Sequence, residues 1–111
     1  EEMYNANEFK RAATIHFTPV AVDLESLSFD NEHVNEERKH EVTEEQAKQY
    51  IKNSDFSVSV WGGMYERYYG EKGASYVNTK DKRIRTAFSS SEFKENTKKL
   101  MEAYENGISK L

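Results

Sequence analysis

The chain has 111 residues, of which 36% are hydrophobic, 32% charged and 13% aromatic, values typical of one foldable domain with a polar surface. It contains no cysteine, which excludes disulfides, thiolate metal sites and cysteine nucleophiles. It also lacks a run of eighteen apolar residues, so the sequence contains no candidate membrane span.

Charge is distributed unevenly along the chain. The formal net charge of -4 weighs mildly against nucleic-acid binding, which needs local positive charge. Residues 1–60 contain 13 acidic residues against 6 Lys and Arg, whereas residues 61–88 contain 3 against 6. Two interpretations of this basic region are open: a surface that binds anions, and a solvated surface without a specific role.

The first residues of the chain carry only weak structural signals. Apolar side chains recur at helical spacing over residues 7–15, and residues 15–22 then alternate like a strand around Pro19. Proline cannot donate to a strand ladder, so this strand belongs at an edge or a bulge. We therefore predict an N-terminal extension or linker over residues 1–28 and an α+β domain over residues 29–111.

A helix is clearly indicated from Thr43 onward. The run Thr43-Glu-Glu-Gln46 is a capping box, in which the threonine hydroxyl and the glutamine side chain satisfy each other's backbone amides. Apolar residues then follow at helical spacing, namely Ala47, Tyr50 and Ile51. Asn53 and Ser54 are expected to end the helix.

The next part of the chain predicts a sheet of short strands. Alternating apolar residues predict strands over residues 56–61, 64–69, 74–78 and 83–88. Short turns join them, beginning with the hairpin signal Gly62-Gly63. Such a sequence of strands is typical of an antiparallel meander.

A final helix follows this meander. Apolar and small residues recur at helical spacing, namely Phe93, Thr97, Leu100, Met101 and Tyr104. Ser89–Ser91 is expected to cap this helix, and Gly107 to end it. The complete prediction is an α+β fold: N-terminal helices packed on a four-stranded antiparallel meander, with a C-terminal helix.

A histidine-containing segment, residues 29–43, precedes the capped helix. On one continuous helix, His33, Glu37 and His40 would share a face and could bind zinc, but there is no third nitrogen ligand and the spacing differs from HExxH. A second interpretation is an exposed polar turn. A third is an acid–base or phosphate-binding role for Arg38 and His40, because imidazole and guanidinium groups serve these purposes at neutral pH.

Tyrosine and arginine side chains form a second group on the predicted sheet. Strand periodicity places Tyr65, Arg67 and Tyr69 on one face of their strand, and Arg83 and Arg85 on one face of the last strand. Such side chains could stack on single-stranded RNA bases and bind phosphates. Alternatively, they pack along a solvated face without binding anything.

Three sequence elements together resemble a known family. These elements are FDNEHVNEERKHEVT before a helix, VSVWGGMYERYYGEKGASYV, and KRIRTAF. The run from Phe29 to about Phe93, roughly 60% of the chain, resembles the toxin-like C-terminal domains of phage head-morphogenesis and minor capsid proteins. Those domains belong to the barnase-EndoU-colicin-RelE (BECR) superfamily of small ribonucleases.

The resemblance implies a metal-independent endoribonuclease of the toxin or effector type, without a cofactor. It implies an acid–base role for His40 and further catalytic roles for Arg85, Thr86 and Tyr65. Strand alternation places Arg85 and Thr86 on opposite faces unless a bulge intervenes, and His40 and Arg85 would have to converge on one phosphate. The implied substrate contacts are Arg38, Arg67, Tyr69, Arg83 and His33.

The resemblance also implies partners and a location. The partners would be an RNA substrate and either a cognate immunity protein or the capsid-protein domain that carries the chain, with no membrane association. The location would be the cytoplasm of a bacterial host or target cell, reached with a phage particle. The alternative function is a non-catalytic phage or mobile-element module that binds protein through its tyrosine- and arginine-rich sheet.

Overall fold

The computed structural model describes residues 14–109. This part of the chain forms six strands and three helices, one of which is C-terminal. The strands are β1 (Thr14–His16), β2 (Ser28–Phe29), β3 (Phe56–Val60), β4 (Tyr65–Tyr69), β5 (Gly73–Asn78) and β6 (Arg83–Ser89); the helices are a π-helical segment (Glu32–Glu37), α1 (Glu44–Lys52) and α2 (Glu95–Ser109). The helix predicted over residues 7–15 lies outside the described residues except at Thr14 and Ile15, which belong to β1.

All six strands belong to one mixed sheet, in the order β1-β3-β4-β5-β6-β2. Strands β3 to β6 are antiparallel neighbours, β1 adds antiparallel to β3, and β2 adds parallel to β6. The α+β class and the C-terminal helix are thus correct, but the prediction of a four-stranded antiparallel meander is wrong.

The strands β1 and β2 were not predicted because they are very short. β1 has three residues and β2 has two, too few to produce an alternating pattern. Backbone hydrogen bonds to a distant strand create β2: Ser28 N donates to Lys82 O at 3.0 Å, and Asp30 N donates to Ile84 O at 3.0 Å. Tertiary pairing, which periodicity does not report, therefore completes the sheet.

The helices follow the sequence signals at some ends and depart from them at others. The capping box of α1 is confirmed, since Thr43 Oγ1 accepts from Gln46 N at 3.1 Å and Gln46 Oε1 accepts from Thr43 N at 2.9 Å. By contrast, α2 begins only at Glu95, and Gly107 does not end it. None of the helices in residues 14–109 has the apolar length that a bilayer crossing requires.

Both faces of the sheet are covered by other elements. On the first face, α1 packs through Ala47 and Ile51 onto a core cluster that also contains Leu27, Val34, Val42, Tyr68, Val77, Ile84 and Ala87. On the second face, α2 packs onto Phe56, Val58, Val60, Tyr69 and Ala74. The tyrosine- and arginine-bearing face is therefore not an open sheet surface, because α2 occupies part of it.

A bulge interrupts β6 beside the second face. Thr86 pairs with Tyr76, but the next pair is Ile84 with Val77, so Arg85 has no partner on β5. A bulge of this kind re-aims the side chain of the extra residue. Strict alternation therefore does not apply to Arg85 and Thr86.

Tyr68 makes the stability of the fold sensitive to alkaline pH. Its side chain is 2% exposed, and its hydroxyl donates to Val20 O at 2.7 Å. Burial, and then the negative charge of Glu66, raise the pKa of Tyr68 from 10.0 to about 12. The folded state thus favours the protonated phenol, and this contribution is present below pH 10 and is lost as the pH rises through 12.

We expect the free energy of unfolding to fall by about 2 kcal/mol between pH 10 and 12 because of Tyr68. Urea denaturation at a series of pH values measures this change. In Tyr68→Phe, which has no titrating hydroxyl, the decrease should be smaller than in the wild type. Equal decreases in the two proteins would contradict the assignment to Tyr68.

Candidate functional site

A cavity of about 370 Å³ lies beside β6 on the second face of the sheet. Its wall combines three regions of the chain: the loop between the π-helical segment and α1, strands β5 and β6, and the turn into α2 together with the first turn of α2. The lining residues are Arg38, His40, Tyr76, Thr86, Phe88, Glu92, Lys94 and Thr97. Three residues predicted from the sequence, Arg38, His40 and Thr86, thus meet at one place.

The loop that carries Arg38 and His40 is held at its two ends. Val34 and Val42 are both buried in the core. The side chain of Asn35 joins these ends, because its Nδ2 donates to Val42 O at 2.7 Å and its Oδ1 accepts from Val42 N at 2.8 Å. The residues between them are therefore presented as a closed loop next to β6.

The backbone on either side of His40 has an unfavourable conformation. Lys39 has φ of 56° and Glu41 has φ of 57°, both in the left-handed region, which costs of order 1 kcal/mol or more for a residue with a side chain. The backbone amide of His40 is held by Val34 O at 3.1 Å. Strain of this kind persists where the surrounding structure enforces it and is concentrated at functional sites.

The imidazole of His40 is held on two sides. Its Nδ1 lies 2.9 Å from Glu92 Oε1, and its ring packs against Phe88 with 5.5 Å between ring centroids. The side chain is 19% exposed. Within residues 14–109 the other ring nitrogen, Nε2, has no hydrogen-bond partner, so it is available to a molecule in the cavity.

Two cationic side chains line the same cavity. Neither Arg38 nor Lys94 forms a side-chain ion pair or hydrogen bond with any residue that the structure describes. The hydroxyl-bearing side chains of Thr86 and Thr97 also line this wall. Unneutralised cations beside hydroxyl groups are suited to bind an anion such as phosphate.

Arg67 and Tyr69 lie behind the cavity wall and support Tyr76. The guanidinium of Arg67 lies 4.6 Å from the centre of the Tyr76 ring, and the hydroxyls of Tyr69 and Tyr76 are 3.1 Å apart. Tyr69 is only 2% exposed, and burial, followed by the charge of Tyr76, raises its pKa far above the usual value. Arg67 and Tyr69 were both predicted to contact substrate. In the structure they contact Tyr76 and do not themselves line the cavity.

The arginines at the start of β6 are occupied by carboxylates. Arg85 Nη2 donates to Asp81 Oδ2 at 2.9 Å, and its Nη1 lies 3.6 Å from Asp30 Oδ2. The bond to Asp81 is the main cause of a raised pKa for the Arg85 guanidinium. Arg83 Nε lies 3.8 Å from the same Asp30 oxygen. Neither arginine lines the cavity. The structure therefore does not bring Arg85 to the cavity wall that His40 occupies. The expected convergence of these two side chains on one phosphate is not found, and Arg85 is not part of the candidate site.

Two further predicted residues lie elsewhere. Tyr65 belongs to the β4 end near Arg83, since it pairs with Asn78, which pairs with Arg83. His33 makes a local contact, with Nδ1 3.0 Å from Glu37 Oε1 on the exposed side of the π-helical segment. The two histidines thus have different carboxylate partners, and no group of three potential metal ligands occurs within residues 14–109.

Sequence reasoning missed five residues of the cavity wall: Tyr76, Phe88, Glu92, Lys94 and Thr97. A signal existed for Phe88, because strand alternation places it on the same face as Thr86. Tyr76 shares this face because it pairs with Arg67 and with Thr86, which the strand register decides. Glu92 and Lys94 gave no such signal, since charged residues before a helix are ordinarily solvated. Only the position of α2 brings these residues to the cavity.

Comparison of the chain with protein-family models, with curated proteins and with solved structures finds no match.

Proposed function

We propose that the chain is a metal-independent endoribonuclease of the toxin or effector type, with its active site in the cavity around His40. The observation that carries this proposal is the meeting of Arg38 and His40 with Thr86 and Lys94, which are distant from them in the sequence, on one cavity wall. RNA cleavage by this route needs a base, an acid and cations near the phosphate. The wall supplies side chains for each task.

The chemistry follows from the position of each group. Nε2 of His40 takes the proton of the 2′-hydroxyl, whose oxygen attacks phosphorus and forms a 2′,3′-cyclic phosphate. Arg38 and Lys94 stabilise the negative charge of the phosphorane, and the hydroxyl of Thr86 donates to one of its oxygens. The bond to the 5′-oxygen breaks, and this oxygen takes a proton from a donor on the same wall, where Tyr76 and Lys94 are available.

The rest of the wall suits a nucleotide base. Phe88 and Tyr76 offer aromatic surfaces, on which single-stranded bases stack. A volume of about 370 Å³ lies within the usual range for small-ligand pockets. These features support single-stranded RNA as the substrate in preference to a continuous duplex.

Arg38→Ala and Lys94→Ala should each lower kcat/KM by about 10- to 100-fold, because hydrogen bonds to charged groups contribute roughly 1.5–3 kcal/mol. Steady-state cleavage of a short fluorescent RNA measures the loss. Lys80→Ala is the matched control, since Lys80 is exposed in the turn between β5 and β6 and does not line the cavity. Equal effects of Lys94→Ala and Lys80→Ala would contradict a role for Lys94 at the site.

The proposal is tested by incubating the purified 111-residue chain with single-stranded RNA in the presence of EDTA. We expect cleavage with products that end in a 2′,3′-cyclic phosphate, and toxicity on expression in bacteria. Absence of cleavage over a panel of RNA sequences would overturn the proposal. The immunity-protein or capsid-domain partner and the bacterial cytoplasmic location are parts of this proposal that rest on the motif resemblance.

One observation favours the alternative, a non-catalytic phage or mobile-element module that binds protein. Trp61 and Met64 are 52% and 51% exposed in the turn between β3 and β4, and exposed apolar side chains of this size are frequent at protein interfaces. The alternative predicts no RNA cleavage. It also predicts that a partner protects the β3–β4 turn from hydrogen exchange.

A further inference from the structure

We infer that Glu92 is a positioning residue for His40: its carboxylate accepts a hydrogen bond from Nδ1, so that Nε2 is the unprotonated nitrogen presented to the cavity. The two residues are 52 positions apart and join at 2.9 Å between Nδ1 and Oε1. No signal in the sequence connects them. The contribution of Glu92 to catalysis rests on the proposed function. The assignment of the proton to Nδ1 of His40 is independent of that function.

The ring of His40 has little freedom to turn. Phe88 contacts it with a ring-centroid separation of 5.5 Å and an interplanar angle of 43°, while Nδ1 is directed at Glu92. Its backbone amide is held by Val34 O. A flip of the ring about the Cβ–Cγ bond would place Cδ2 in the position of Nδ1 and Cε1 in the position of Nε2, and would remove the bond to Glu92.

Glu92 is itself held in place by its backbone. It ends the short 3₁₀ turn Ser90–Glu92 between β6 and α2. Ser90 N donates to Lys72 O at 2.9 Å and Phe93 N donates to Ser90 O at 3.1 Å, and the ring of Phe93 packs edge-on against Phe88 at 5.9 Å. The carboxylate of Glu92 therefore projects from an anchored turn. The ring of Phe88 packs against both His40 and Phe93, and so connects the histidine to this turn.

The protonation state of the imidazole follows from this contact. An ionised carboxylate only accepts hydrogen bonds, so the ring nitrogen that faces it must carry the proton. In the neutral ring the remaining nitrogen, Nε2, then has a free lone pair. This is the form that a general base requires, and the carboxylate also stabilises the imidazolium produced when the base takes a proton.

The chain contains a chemically equivalent pair that serves as a matched control. His33 Nδ1 lies 3.0 Å from Glu37 Oε1, with 33% and 58% of the two side chains exposed. The corresponding values for His40 and Glu92 are 19% and 39%. His33 does not line the cavity, so removal of its partner tests the general effect of losing a histidine–glutamate pair.

The experiment measures imidazole ¹⁵N chemical shifts by NMR in the full chain at a pH where the histidines are neutral. We expect His40 to be in the Nδ1–H form in the wild type and in Glu92→Gln, whose amide oxygen can still accept. In Glu92→Ala we expect a shift toward the Nε2–H form. A wild-type His40 in the Nε2–H form, or an unchanged ring in Glu92→Ala, would overturn the inference.

Kinetics provide the second measurement. Loss of the carboxylate that orients a general-base histidine lowers kcat by about 10⁴-fold where that carboxylate is buried. Glu92 is 39% exposed, so Glu92→Ala should lower kcat by less than this but by at least about 10-fold, with a smaller change in KM, and Glu37→Ala should leave kcat unchanged. Equal kcat in Glu92→Ala and the wild type would overturn the positioning role. A wild-type protein that holds the Nδ1–H form but cleaves no RNA would overturn only the proposed function and still support the inference.

Discussion

His40→Ala is expected to reduce RNA cleavage by a factor of about 10² to 10⁴, the usual contribution of a general acid–base group. The reason is that His40 lines the cavity and that its Nε2 atom has no hydrogen-bond partner within the part of the chain that the structure describes. The loss should appear in kcat, because Arg38 and Lys94 remain to bind the phosphate. Single-turnover cleavage with EDTA present separates this effect from binding.

His33→Ala is the control for His40→Ala. His33 lies in the same segment and has a carboxylate partner at almost the same distance, 3.0 Å against 2.9 Å, but it does not line the cavity. We expect His33→Ala to retain nearly full activity. Full activity in His40→Ala would show that RNA is not cleaved in this cavity. A comparable loss of activity in His40→Ala and His33→Ala would indicate that both substitutions disturb the structure of the segment.

Phe56→Ala is expected to lower the free energy of unfolding by about 3–5 kcal/mol, the range for deletion of a large buried aromatic side chain. Phe56 is fully buried. Its ring stacks on Tyr104 of α2 with 4.3 Å between centroids and on Tyr69 of β4 at 5.3 Å. The residue therefore connects α2 to the sheet, and its removal leaves a cavity between the two.

Phe17→Ala is the matched control for this second variant. Phe17 also contacts Tyr104, at 5.8 Å, but it is 44% exposed, so we expect a much smaller loss of stability. Urea denaturation monitored by circular dichroism measures both variants. Equal losses would show that α2 does not depend on Phe56. Because Thr97 of α2 lines the cavity around His40, the proposed function predicts that Phe56→Ala also reduces RNA cleavage.

Residue chemistry and local pattern identified part of the candidate site. Arg38 and His40 stood out because imidazole and guanidinium groups can move protons and bind phosphates at neutral pH, and here they occur together just before a well-capped helix. Thr86 followed from the motif resemblance. Arg85 was also predicted from the motif resemblance. Its guanidinium is bound by Asp81 and Asp30, and the alternation of residues along a strand does not predict either contact.

The sequence by itself determined part of the local structure of this protein. The capping box at Thr43 and the alternation within β3 to β6 depend on neighbours that lie a few positions apart, so they can be read without knowledge of the fold. The strands β1 and β2 could not be read in this way. They exist because distant backbone groups pair with them at the edges of the sheet.

Only the tertiary structure decided which nitrogen of His40 is free and what faces it. The contact with Glu92, the cations Arg38 and Lys94 on one wall, and the bulge at Arg85 all depend on how β6, α2 and the loop before α1 pack together. The energy of such contacts is set by distance in space, while sequence patterns report only separation along the chain. The sequence therefore pointed to His40 as a candidate residue, and packing placed the carboxylate of Glu92 beside it.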